Sequence, residues 1–176
     1  GLGNIRYDLA FGGAYYAFVK VEQVGLDCTQ ECHNELIEKG LIIKNEISKS
    51  VRLDHPTEPE MNFLYGTIFT GLPKNVNNHS RNVCIFANGE VDRSPTGTGV
   101  SARAAIHYKR GEIDIGDSIT IESIIGSIFS VKISETINFG KYEAIIPEVS
   151  GTAYLTGKNS FWINPEDPLK DGFILR

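Results

Sequence analysis

Between residues 91 and 103 the sequence reads Val91-Asp92-Arg93-Ser94-Pro95-Thr96-Gly97-Thr98-Gly99-Val100-Ser101-Ala102-Arg103. It follows an apolar run, Asn82-Val83-Cys84-Ile85-Phe86-Ala87, that has the composition of a buried strand. After it, Ser101 to Tyr108 has helical composition, closed by Lys109-Arg110-Gly111. An acid, a proline-stiffened turn and two glycines therefore separate a strand from a helix N-terminus. That arrangement presents unpaired backbone N–H groups and the positive end of a helix dipole to a small anion. Asp92, Thr96 and Thr98 stand beside it, and the rest of the chain has to fold around this turn.

The bulk composition narrows the partners. The 176 residues suffice for one domain with a full core, and 41% are hydrophobic. Eighteen glycines among many Ile, Val, Thr, Tyr and Phe residues favour a strand-rich α+β domain spanning 1–176. Net charge is −5 and no basic cluster exceeds two adjacent residues, so neither nucleic acid nor an anionic membrane is an expected partner. No apolar run approaches the ~20 residues needed to cross a bilayer, and no signal peptide is visible.

Three cysteines cannot all pair internally. Cys84 lies in the apolar run as a buried free thiol. Cys28 and Cys32 have a C-x3-C spacing with no second pair of Cys or His to complete a zinc site, so no metal is expected. The expected setting is reducing and cytoplasmic. Met61 is the only methionine, so Gly1 is not a translation start and the chain is expected to be part of a longer polypeptide.

Along the chain, Ile5 to Ala10 alternates as a half-buried strand. Phe11-Gly12-Gly13 breaks it, and Tyr15 to Val21 is a second strand. The glycine pair serves either a turn or close backbone approach. Gln30 to Glu38 opens a long helical segment in which Cys32, Leu36, Leu41, Ile43, Ile47 and Val51 form one apolar face; Gly40 is placed to kink or divide it. His33 faces solvent. Leu53 to Glu60, with His55, is a loop; Asn62 to Phe69 is a strand; Lys74 to Arg81 is an exposed connection. Ser118 to Ile125 and Ile128 to Ile133 form a hairpin around Gly126. Tyr142 to Val149, Thr152 to Thr156 and Phe161 to Asn164 are further short strands, followed by a turn-rich tail ending at Gly172-Phe173-Ile174-Leu175-Arg176.

Several chemistries compete for the glycine-rich turn. Gly97-Thr98-Gly99-Val100-Ser101-Ala102 satisfies the looser dinucleotide pattern G-x-G-x-x-A, but the strand ends too far upstream and no β-α-β series surrounds it. No lysine follows the glycines, which excludes a nucleoside triphosphate loop. A plain helix cap would use Thr96 or Thr98, with Asp92 forming an Asx turn. In the remaining reading, backbone N–H groups of Gly97 and Thr98 hold a carboxylate while Asp92 receives a cationic amine. An amino or imino acid carries that charge pair.

The segment Asp92 to Gly99 resembles the second signature of the proline racemase family. Asp8 to Ala17, Asn82 to Phe86, Ile145 to Ala153 and Asp167 to Phe173 resemble further blocks of that family, in order along the chain. The resemblance implies one half of a two-domain fold like that of diaminopimelate epimerase, strand-rich, with a long helical segment and a short site helix. It implies an imino-acid substrate and no metal or organic cofactor; a homodimer is compatible with it, though the sequence does not set the oligomeric state. The Cys-Gly-His signature of the family's first half is absent, so the principal catalytic cysteine is expected outside this chain. Asp92 would then bind the ring nitrogen, Gly97 and Thr98 the carboxylate, and Phe86 would line the pocket.

Racemases and hydroxyproline epimerases of the family carry cysteine where this chain has Thr96. Threonine there resembles the trans-3-hydroxy-L-proline dehydratases. The expected reaction is thus one-sided α-proton removal and loss of the 3-hydroxyl by a hydro-lyase, giving pyrroline-2-carboxylate. Thr96 would face the ring opposite the absent cysteine and steady the leaving hydroxyl or a water. Proline racemase or hydroxyproline 2-epimerase is the alternative within the family. A non-catalytic imino-acid binding module is the alternative outside it.

Overall fold

The structure, a computed structural model, describes residues 1–174. Its strands are β1 (Asp8–Phe11), β2 (Tyr15–Lys20), β3 (Leu64–Gly71), β4 (Ser80–Phe86), β5 (Glu90–Val91), β6 (Ser118–Glu122), β7 (Ile128–Phe139) and β8 (Tyr142–Gly151). Two α-helices accompany them, α1 (His33–Ser50) and α2 (Gly97–Lys109). One sheet runs β1-β2-β3-β4-β6-β7-β8, with β5 paired to β4. The β2–β3 and β4–β6 pairs are parallel and the rest antiparallel. The expected α+β, strand-rich character holds.

The central strands are buried over most of their length because each face is covered. Ala17, Val19, Phe69, Val83 and Ile85 pack with Leu36, Ile43 and Ile47 of α1. Tyr16, Phe18, Ile68 and Cys84, one residue out of phase, pack with Ala102 of α2. Val100 and Ala104 continue that helix face onto Ile119, Ile121, Val131 and Ile133. The sheet curls enough for β1 at one end and β7 and β8 at the other all to contact α2.

Several expectations need correction. Helix α1 runs unbroken through Gly40, which is buried against β4; a Cβ there would come within 2.8 Å of the Ile85 side chain. Thr67 Oγ1 also donates to the Gly40 carbonyl at 3.0 Å. The glycine permits close helix–sheet approach instead of breaking the helix. The connection expected to be exposed up to Arg81 instead ends at Asn78-His79, because Ser80 and Arg81 are buried in β4. Gly151 ends β8 and does not separate two strands.

The segments 152–156 and 161–164 form no strands. Tyr154, Leu155, Phe161 and Trp162 are almost fully exposed. Strand backbone needs a partner ladder, and this stretch finds none among the described residues. Leu175 and Arg176 of the expected tail lie outside the described residues. His33 is exposed, as expected. His55 is buried between Phe11 and Phe139, with ring centroids 4.8 and 5.3 Å away. Its Nδ1 accepts the Glu58 N–H at 2.9 Å, so it organises its own loop.

Candidate active site

The turn after β5 is built by its own short-range hydrogen bonds. Asp92 Oδ1 accepts the Ser94 N–H at 2.8 Å, the expected Asx turn, and Ser94 Oγ accepts the Thr96 N–H at 3.0 Å. The Pro95 carbonyl is tied to the sheet by Asn82 Nδ2 at 3.2 Å. Thr96 precedes the first helical residue and has φ 70° and ψ 107°. A β-branched residue seldom adopts that conformation, and such strain concentrates where a side chain must be aimed.

Helix α2 begins at Gly97, four residues earlier than composition suggests, so both glycines lie in its first turn. Gly99 is there for packing: a Cβ would fall 2.5 Å from Ile68 Cδ1. Thr96 sits at the cap position without capping, because its Oγ1 donates to Asp92 Oδ2 at 2.9 Å. Among the described residues, no protein oxygen accepts the N–H groups of Gly97 and Thr98. A helix start leaves such donors free, and here they converge with the positive end of the dipole.

These groups share one open pocket of about 450 Å³, lined by Gly13, Ala14, Tyr16, Tyr65, Phe86, Asp92, Thr96, Gly97 and Thr98. All five residues singled out from the sequence therefore meet. Phe86 stacks on Tyr65 with ring centroids 5.7 Å apart and planes 10° from parallel, making an apolar wall. The sequence did not reveal Tyr16, whose hydroxyl lies 2.7 Å from Thr98 Oγ1. Burial raises the Tyr16 phenol well above its ordinary range, outweighing the lowering effect of that hydrogen bond, so the phenol stays neutral. The available signal was strand alternation, which places residues 14, 16 and 18 on the α2 face.

The Gly12-Gly13 pair brings the β1–β2 turn close against the helix, and Gly13 also lines the pocket. A Cβ on Gly12 would overlap the Thr98 carbonyl oxygen and the Ala102 backbone nitrogen. Gly13 has φ 112°, and a Cβ there would lie 2.7 Å from Thr98 Cγ2. The β1–β2 turn thus fixes how deeply the first turn of α2 sits. Gly12→Ala is expected to lower stability by roughly 1–3 kcal/mol and to displace the Gly97 and Thr98 donors. Thermal unfolding and imino-acid affinity of the full-length variant check both effects.

The remaining titratable groups give the pocket lining no thiol or imidazole. Burial raises the Cys84 thiol to about 12, which keeps it protonated and disqualifies it as a base. Cys28, Cys32 and Cys84 are all free thiols. A larger pocket, about 810 Å³, lies toward the C-terminal end of α2 and includes Asp8, Arg103, His107, Arg110 and Glu112. There Arg110 pairs with Asp8, and His107 Nδ1 hydrogen-bonds the Glu112 carboxylate while burial lowers the imidazole pKa below its ordinary value. Among the described residues no three His, Cys, Asp or Glu side chains cluster as metal ligands, and no helix is long and apolar enough to cross a membrane.

The proline racemase family model matches residues 1–174. The chain belongs to the proline racemase family. A trans-3-hydroxy-L-proline dehydratase of Colwellia psychrerythraea is 50% identical over 176 residues, covering 100% of this chain and 50% of the relative. The Homo sapiens protein of that name is 39% identical over 178 residues, again covering 100% of this chain and 50% of its own. The proline racemase of Clostridioides difficile is 35% identical over 176 residues, covering 100% of this chain and 52% of its own. A solved hydroxyproline epimerase from Agrobacterium vitis, with bound trans-4-hydroxy-L-proline, superposes with a TM-score of 0.85 at 35% identity. That match takes in 97% of this chain and 49% of the epimerase. This proline racemase family chain thus spans about half the length of its relatives and corresponds to one half of their two-domain fold.

Proposed function

We propose that this chain is the substrate-cradling half of a hydro-lyase that dehydrates trans-3-hydroxy-L-proline to pyrroline-2-carboxylate. Asp92 binds the cationic ring nitrogen, the N–H groups of Gly97 and Thr98 bind the carboxylate, and Phe86 with Tyr65 excludes water from one side of the ring. Removing the α-proton drives negative charge onto the carboxylate oxygens, where fixed N–H donors and the helix dipole stabilise it. A lost donor of this kind costs ~3–4 kcal/mol in comparable oxyanion sites.

The observation that carries this reading is Thr96, a hydroxyl at the helix start held by Asp92. Racemisation needs a proton carrier on each face of the α-carbon. The pocket wall formed by this chain has no thiol or imidazole among its lining residues. Deprotonation from one face followed by β-elimination needs only one such base, which the family resemblance places outside this chain. The names of relatives 39–50% identical support the same choice. Residues 1–176 acting as one domain, a cytoplasmic setting, a homodimer and independence from any cofactor belong to this reading; the three free thiols support the reducing compartment.

The test is direct. Full-length protein incubated with trans-3-hydroxy-L-proline should yield an imine that a reductase converts to proline. Formation of D-proline from L-proline with no imine would make the protein a racemase. Binding without any turnover would make it an imino-acid binding module.

A further inference from the structure

We infer that Thr96 is a positioning residue that orients the Asp92 carboxylate, and that it is not the acid that protonates the departing hydroxyl; this rests on the dehydratase reading above. A threonine hydroxyl carries a single hydrogen, and here it is donated to Asp92 Oδ2 at 2.9 Å. An ionised carboxylate only accepts, so the direction of that bond is fixed. With Ser94 N–H on Oδ1 at 2.8 Å, each Asp92 oxygen is held by one donor and keeps capacity for a cationic amine. The hydroxyl is brought there by a backbone of φ 70°, on a residue only 7% exposed. A group meant to hand its proton to substrate would not be expected to spend it on a neighbour held this firmly.

Substrate stereochemistry removes the need for a second acid. In trans-3-hydroxy-L-proline the carboxylate and the 3-hydroxyl lie on opposite ring faces, so the α-hydrogen and the hydroxyl share a face. One proton carrier on that face can serve both steps. It takes the α-proton, and the C2–H electron pair becomes the C2=C3 bond as C3–O breaks. The carrier returns the proton to the departing oxygen, which leaves as water. The carrier ends as it began, and the enamine then tautomerises to the imine. Thr96 acts through Asp92, on how the ring nitrogen is held.

Full-length Thr96→Val, Thr96→Ser, Asp92→Asn and the Thr96→Val/Asp92→Asn combination test this, with thermal midpoints confirming that each folds. Valine keeps the branched shape without the hydroxyl. Three readouts are needed: L-proline affinity by calorimetry, imine formation from trans-3-hydroxy-L-proline, and fluoride release from trans-3-fluoro-L-proline, whose leaving group departs without a full proton transfer. Thr96→Val should weaken L-proline binding about tenfold and raise KM by a similar factor on both substrates, with kcat nearly unchanged. Thr96→Ser should restore affinity, and the combination should bind no worse than Asp92→Asn alone. Unchanged affinity with a large kcat loss on the hydroxy substrate but not the fluoro substrate would overturn the assignment, as would fully additive losses in the combination. If the wild-type protein forms no imine, the dehydratase reading fails on its own, and L-proline calorimetry still decides whether Thr96 works through Asp92. Wild-type protein that binds no L-proline overturns both.

Discussion

Asp92→Ala in the full-length protein is expected to weaken imino-acid binding by about a hundredfold or more. Three losses combine. The cationic ring nitrogen loses its only carboxylate partner among the pocket-lining residues of this chain. The Ser94 N–H loses the acceptor that closes the turn, and the Thr96 hydroxyl loses the group that justifies its strained backbone. Calorimetry with L-proline measures the first effect free of turnover. An affinity within threefold of wild type would remove Asp92 from the amine contact. The Gly97 and Thr98 donors lie on α2, which Gly12 and Ile68 seat independently of Asp92. Residual binding should therefore still discriminate for a carboxylate, and an amide of proline should bind the variant more weakly than proline does.

The second large effect concerns stability. Glu122, at the end of β6, is 2% exposed and faces Arg81 of β4, with Arg81 Nη2 donating to Oε2 at 2.8 Å. It also accepts the N–H groups of Lys74 and Asn75 at 2.7 and 2.8 Å and Asn78 Nδ2 at 2.8 Å. Strands β4 and β6 share only two register pairs, Ser80 with Ile121 and Arg81 with Glu122, so this carboxylate clamps the short seam that joins the two parts of the sheet's strand path. Glu122→Ala leaves a buried guanidinium uncompensated and should cost about 3–5 kcal/mol. Burial alone would raise the Glu122 carboxyl, but the backbone N–H groups, Arg81 and Asn78 outweigh it and hold it at about 2, from an ordinary 4.5. A folded value below the unfolded one means the contribution is complete above about pH 4.5 and disappears as pH falls towards 2. Denaturant unfolding at pH 7 and pH 3 should show the wild type losing stability more steeply than the alanine variant. Parallel pH profiles would show that Glu122 is not the clamp.

Much of this layout was legible in the sequence, for physical reasons. Residues 15–21, 62–69 and 82–87 read as strands because both faces of the sheet are covered, which makes these runs largely apolar. The five pocket residues Phe86, Asp92, Thr96, Gly97 and Thr98 could be gathered because four of them lie within seven positions, and local hydrogen bonds build the turn. What escaped depends on contacts distant in sequence. The start of α2 was set too late because glycine disfavours helix locally, whereas Gly97 and Gly99 are kept helical by packing on the sheet and the β1–β2 turn. Gly40 looked like a break because its neighbour Ile85 is 45 positions away in the chain. Arg81 looked exposed because its partner Glu122 lies in another strand. Tyr16 showed only that it belonged to a strand, since Thr98, its hydrogen-bond partner, is 82 residues further on. The apolar pattern of 152–164 satisfied a strand rule whose other requirement, a neighbouring edge, the pattern cannot report.

The left-handed backbone at Thr96 has a bearing on how the protein tolerates engineering. At φ 70° a glycine would relax what a β-branched residue endures. A campaign that selects only for survival on heating would therefore drift toward Gly at this position and enrich robust proteins with slack grips on their ligand. Enrichment ratios from paired heat and turnover screens should diverge most sharply at this codon. A thermostabilised library of this protein is best built with codon 96 locked.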